Sequence, residues 1–109
     1  MRFVSICRPV DGAGMEQFQP YLEAEVRYGW DNYKNGTFRE IYFRQDMLGV
    51  VVMVESRPGD HRIHVVMVEA DSLDAARAAV ENFPLARAGL VSFETIPVGP
   101  FTNWEMLFA

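Results

Sequence analysis

The sequence predicts one α+β domain, an antiparallel sheet with its helices on one face and the element order βαββαβ. Three observations predict it. The 109 residues are 50% apolar and 23% charged, the balance of a single folded domain with an ordinary core. Apolar runs of period two alternate with two segments of helical period. The letters VVMVE stand at 51–55 and again at 65–69, so the middle of the chain contains one strand more than this order needs.

Residues 2–8, RFVSICR, read as the first strand, with Val4 and Ile6 on one side and Phe3, Ser5 and Cys7 on the other. Pro9 and the run DGAG at 11–14 end it. A helix follows, in which Phe18, Leu22, Val26, Trp30 and Tyr33 recur at helical spacing and form one apolar stripe, expected to face the core. Pro20 lacks an amide N–H. It predicts either a short first turn with a kink or a main helix that starts with Pro20 near its first position. Asn35 and Gly36 supply a left-handed stop.

Residues 37–45, TFREIYFRQ, read as the second strand, with Phe38, Glu40, Tyr42 and Arg44 on one side and Thr37, Arg39, Ile41 and Phe43 on the other. Neither side is simply polar, so both faces of the sheet are expected to be covered. Residues 50–55 and 62–69 read as strands separated by a Pro58-Gly59-Asp60 turn. Asp71 or Ser72 caps a second helix running to Asn82, with Leu73, Ala76, Ala79, Val80 and Phe83 inward. The piece 84–90 is one more turn closed by Gly89, and 90–97 is the last long strand before a tail, FTNWEMLFA.

With one copy of the repeat set aside, the order is the split βαβ, or ferredoxin-like, pattern. With both copies in one sheet, the parity fails. A hairpin reverses the chain, so an extra strand would deliver the second helix in the wrong direction. One copy can be looped out, pair with a neighbouring subunit, or lie beside the other as an extra ribbon at the sheet edge; the ribbon, engaged in a subunit contact that protects its apolar edge, is the expected arrangement.

The net charge of −5 disfavours polyanions, so no nucleic-acid partner is expected. Cys7 is the single cysteine and cannot form an internal disulfide; it reads as a small buried hydrophobe in a reducing, cytoplasmic compartment. No run approaches the ~20 apolar residues of a membrane span, and no membrane partner is expected. His61 and His64 lack zinc-ligand spacing to other residues and read as solvated turn histidines, so no metal site is predicted. Gly12-Ala13-Gly14 lacks the third glycine of a dinucleotide fingerprint, and no cofactor is expected.

The segments GTFREIYFR at 36–44, NFPLARAGL at 82–90 and EAEVRYGWDNYKNG at 23–36 resemble the muconolactone-isomerase-like group of dimeric α+β-barrel proteins. The resemblance implies a homodimer whose two sheets pack face to face as a barrel, with a pocket for a small organic molecule. Isomerases, cofactor-free monooxygenases and decarboxylase- or dehydratase-like enzymes resemble each other in this architecture, as do members without a known reaction. Glu40 stands where muconolactone isomerases tend to have His, and the tail differs from theirs.

Glu40, Tyr42 and Arg44 share one strand face at spacing two. A carboxylate, a phenol and a guanidinium so placed can remove a carbon-bound proton, stabilise the enolate and hold an acidic substrate. They can also pair with one another as structure. Arg39 is a second candidate for binding a carboxylate, or a partner for Glu94, and Trp30 and Tyr33 are candidate pocket walls. The tail from about 98 to 109 carries Phe101, Trp104 and Phe108, expected to dock on the partner subunit or close the barrel mouth. The function expected is a small-molecule-binding homodimer with isomerase-type proton transfer on a small organic acid or lactone. A cofactor-independent monooxygenase acting on an aromatic substrate and a non-catalytic binding or assembly protein are the alternatives.

Overall fold

A computed structural model of the chain describes residues 1–43 and 64–108. The described strands are β1 (Arg2–Pro9), β2 (Phe38–Phe43), β3 (His64–Glu69) and β4 (Val91–Val98). The described helices are α1 (Met15–Phe18), α2 (Leu22–Lys34), α3 (Leu73–Glu81) and α4 (Pro84–Arg87). The sheet order is β2-β3-β1-β4, and every neighbouring pair is antiparallel. Each helical crossover therefore skips one strand, which gives the ferredoxin-like α+β topology.

Alternation in β1 falls as the sequence predicts. Phe3, Ser5 and Cys7 are buried under the helices, and Val4 and Ile6 lie on the open face of the sheet. The second VVMVE copy is the body of β3, with Val66 and Val68 buried on the helix side. The first copy and its expected edge ribbon, with Arg44 and His61, lie outside the described residues.

The segment before α2 takes the kinked alternative. The Gln17 side chain accepts a hydrogen bond from the Gly14 amide at 2.6 Å, α1 lasts one turn, and a 3-10 turn over Gln19–Tyr21 carries Pro20. Only then does α2 begin. Pro20 has no N–H to give to a longer helix, and the tighter turn absorbs the loss.

Two expectations about faces are corrected. First, α2 is rotated relative to the predicted stripe. Its inner face carries Glu25 and Gly29, both buried, with Leu22, Tyr28 and Asn32 half-buried. Val26, Trp30 and Tyr33 point outward, at 70%, 58% and 51% exposure. Two long-range hydrogen bonds fix this rotation. The Leu85 amide donates to Glu25 Oε1 at 2.9 Å, and the Tyr28 hydroxyl donates to the Ala79 carbonyl at 2.5 Å.

Second, β2 contains a bulge. Phe38 pairs with Val68 and Glu40 with Met67, so Arg39 is the extra residue on the β2 side. The bulge turns Phe38 to the helix side together with Ile41 and Phe43, while Glu40 and Tyr42 stay on the open face. Phe38 is buried between Tyr28 and Phe83, and its ring stacks on Phe83 at 5.3 Å. The open face thus has an aliphatic centre of Val4, Ile6, Val65, Met67 and Ile96, with Tyr42 and Glu40 beside it and the Arg2–Glu69 and Arg8–Glu94 ion pairs toward its ends.

The second half follows the expected pattern. Ser72 caps α3, its hydroxyl accepting from the Ala75 amide at 3.1 Å. Ala76, Val80 and Phe83 are buried, and Leu73 and Ala79 pack beside them. Each fully buried large side chain contributes about 1.5–3 kcal/mol. Gly89 closes the turn after α4 with φ of 76°, which glycine adopts without steric cost. The tail forms a 3-10 turn over Thr102–Leu107 and is exposed throughout its described length.

Candidate functional site

A buried carboxylate marks the interior between sheet and helices. Glu25 is 7% exposed on the inner face of α2. The first turn of α4 brings the Leu85 amide to Glu25 Oε1. Oε2 has no hydrogen-bond partner among the described residues. Burial is the main cause that pushes the Glu25 carboxyl up from 4.5 to about 7, and the Leu85 hydrogen bond opposes it. An acid of this strength is partly ionised near neutrality, the condition under which one group both takes and returns a proton.

The sheet beneath places polar side chains on the same inner face. Cys7 lies cross-strand from His64 on one side and Phe93 on the other. Burial pushes the Cys7 thiol far up, and the nearby Glu25 charge raises it further, so the group stays protonated. One step along β1, the Ser5 and Thr95 hydroxyls meet at 2.6 Å. His64 is 6% exposed, with Phe93, Phe83 and Phe43 around its ring at 5.9, 6.1 and 6.3 Å. The expectation of a solvated turn histidine is therefore corrected for His64. It lies on the inner face at the start of β3 because it alternates in phase with Val66 and Val68. Phe38, Phe83 and Phe93 form a row of near-parallel rings that ends beside His64 and Cys7. Tyr28, whose hydroxyl is also withdrawn from water, has its pKa raised by burial.

The residues singled out in the sequence fall in three separate places. Glu40 and Tyr42 lie together on the open face, where the Tyr42 hydroxyl donates to Glu40 Oε2. Arg44 lies outside the described residues. Arg39 occupies the bulge and is exposed. It cannot partner Glu94, because β2 and β4 are opposite edges of the sheet; Glu94 instead faces Arg8 at 3.4 Å. Trp30 and Tyr33 contact each other edge to face at 5.8 Å on the outside of α2. Among the described residues, no three His, Cys, Asp or Glu side chains are grouped to hold a metal ion. No helix among them is long and apolar enough to cross a membrane.

The sequence reading missed Glu25, His64 and the Ser5–Thr95 pair. A signal for Glu25 was present: Leu22, Glu25, Gly29 and Asn32 also recur at helical spacing. That stripe is half polar, and the more apolar one beside it is the stronger periodic signal.

Sheet order and helix placement together define a ferredoxin-like α+β domain. Among solved structures it is similar to the 5-chloro-2-hydroxyhydroquinone dehydrochlorinase of Burkholderia phenoliruptrix, determined in complex with 2,5-dihydroxybenzoquinone. That similarity has a TM-score of 0.66 at 18% identity and covers 91% of this chain and 94% of the other. No protein-family profile matches the chain, and no curated protein matches it in sequence.

Proposed function

We propose that the protein is a cofactor-free proton-transfer enzyme that binds a small hydroxylated or acidic ring between the sheet and its helices. The observation that carries this reading is Glu25: a buried carboxyl with one oxygen held and the other without a hydrogen-bond partner among the described residues. The held oxygen fixes the orientation. The other oxygen is the group that would accept a proton from substrate carbon or hydroxyl and return it elsewhere on the ring. Isomerisation of the muconolactone-isomerase-like kind is a net movement of one proton, and a carboxyl near pKa 7 suits both halves of it. The Ser5 and Thr95 hydroxyls supply hydrogen bonds for a substrate oxygen. The ring row ending at Phe93 supplies an apolar wall for a planar ligand. The solved relative's quinone ligand belongs to the same chemical class.

A second reading rests on the Tyr42–Glu40 hydrogen bond. If two copies cover each other's open face as a homodimer, that pair lines the enclosed space, with Glu40 as base and Tyr42 as hydrogen-bond donor. Arg44 and Arg39, from the same strand segment, would then hold an acidic substrate.

Titration of the protein with 2,5-dihydroxybenzoquinone, followed by absorbance and thermal shift between pH 5.5 and 8.5, separates the readings. Wild type is expected to bind, with an affinity that changes across the Glu25 titration near pH 7. Glu25→Gln should abolish that pH dependence, and Glu40→Gln should leave it intact. The reverse pattern moves the chemistry to the open face. Binding that neither substitution alters removes both carboxylates from the site.

A further inference from the structure

The outward face of α2 and the exposed tail are both apolar, and each chain carries one of each. Leu22, Glu23, Val26, Arg27 and Trp30 line an open depression along α2. Beyond β4, Phe101, Trp104 and Phe108 stand 59%, 63% and 83% exposed on a short 3-10 turn. Phe101 and Trp104 meet edge to face at 5.0 Å and form one preassembled aromatic wedge. Exposed apolar clusters of this kind mark contacts.

We propose that the tail of each chain docks in the α2 depression of a second copy, a reciprocal exchange about a twofold axis. Four arguments select this occupant. The first is area. Four aromatics of the two patches (Trp30, Phe101, Trp104 and Phe108) are 58–83% exposed. At about 200 Å² each they offer about 500 Å² per chain, and about 1,000 Å² for the pair, the size a specific interface has to reach.

The second is charge. Glu105 is the acidic residue of the wedge. Arg27 lines the depression and makes no ion pair among the described residues. The third is geometry within one chain. The tail leaves the β4 edge, whereas α2 packs over β2 at the opposite edge, with α3 over β4 and β1 between. Strands spaced about 4.8 Å apart put those edges about 14 Å apart, so the tail and the α2 depression of one chain lie toward opposite edges of its sheet. The fourth is closure. Two different patches exchanged about a twofold axis satisfy each other completely in a dimer and leave no apolar patch to propagate a fibre.

The test is a disulfide placed across the proposed contact. A chain carrying both Val26→Cys and Leu107→Cys is oxidised and run on a non-reducing gel, beside chains carrying either substitution alone as controls for random cross-linking. The buried Cys7 does not compete. A covalent dimer formed by the double variant and by neither single one is the expected result. A link confined to one chain shows the tail on its own helix and overturns the proposal, as does no link at all. A second measurement leaves the folded core untouched. Sedimentation of Phe101→Ala/Trp104→Ala should show the dimer dissociation constant raised at least tenfold. A dissociation constant equal to that of the wild type overturns the proposal.

Discussion

Replacing Glu25 by Gln should change how stability depends on pH, and the size of the change follows from its burial. The carboxyl has a pKa of about 7 in the folded chain against 4.5 when unfolded. The folded state therefore keeps its proton after the unfolded chain has lost it. Below about pH 4.5 the group has no effect on folding. Between pH 4.5 and 7 the unfolded state binds fewer protons, and stability falls as pH rises. Above 7 the loss is complete and the curve is flat again. At 1.36 kcal/mol per pH unit, the interval corresponds to about 3 kcal/mol. Gln keeps an oxygen for the Leu85 amide and carries no charge at any pH, so the variant lacks this slope. Urea denaturation of both chains at pH 4 to 8.5 measures it. The two curves should lie close together at pH 4, and the variant should be more stable by about 3 kcal/mol at pH 8. Taking the difference cancels other groups, including Glu69, whose pKa is lowered chiefly by its hydrogen bond from Arg2. Curves that run parallel from pH 5 to 7.5 would refute the reasoning, because Glu25 would then be as well solvated folded as unfolded.

Two further outcomes follow from the same interior. Cys7 is fully buried and its thiol stays protonated; a thiol reagent at pH 8 should leave the native chain unlabelled and modify one equivalent after denaturation, so rapid native labelling would contradict the packing. At Gly29, a Cβ would sit 3.5 Å from Ile41 Cδ1 and 3.7 Å from Phe83 Cε1, ordinary contact distances. Gly29→Ala should therefore stabilise the chain by about 0.5–1 kcal/mol through helix propensity, and a chemical-denaturation loss of more than that would show that α2 cannot give even this much room.

Much of the architecture is legible in the residues. The strand–helix order, the antiparallel sheet, the division of β1 into two faces and the buried stripe of α3 all follow from periodicity, and the Ser72 cap from residue type. In α3 one face is apolar, so period and burial coincide, whereas β1 is apolar on both sides and its period gives the alternation without the inward side. The bulge at Arg39 is not legible, because the alternation through TFREIYFR is unbroken in type on either parity. Phe38 turns inward to meet Tyr28 and Phe83, contacts more than forty residues away in the case of Phe83. A strand segment with bulky residues on both sides does not announce where its register slips. The His64 placement fails for a related reason. Proximity to the Pro58-Gly59-Asp60 turn signal made it look solvated, whereas its phase with Val66 and Val68 puts it inside.

The inversion of α2 has a different origin, and it links the two proposals. A helix whose aromatic residues face outward and whose Glu and Asn face inward breaks the ordinary pattern in both directions. Rotating it by about 100°, one residue's turn, would bury Val26 and Trp30 in the usual way. That rotation would break the Leu85–Glu25 and Tyr28–Ala79 hydrogen bonds, strand the Leu85 amide in the core and push Trp30 into the space that Gly29 leaves beside Ile41 and Phe83. An unsatisfied buried amide costs about 1–3 kcal/mol, and overpacking by a ring costs about as much again. Local packing thus holds the helix in its observed rotation, but it does not explain why the sequence keeps a half-satisfied acid inside and two large rings outside. Sequences depart from consistent patterning where function requires it. The proposed proton-transfer role would account for the inward departure, and the proposed docking of a partner's tail for the outward one. Each is removed by a different substitution, Glu25→Gln on one face and Phe101→Ala/Trp104→Ala opposite the other, so the two explanations stand or fall separately.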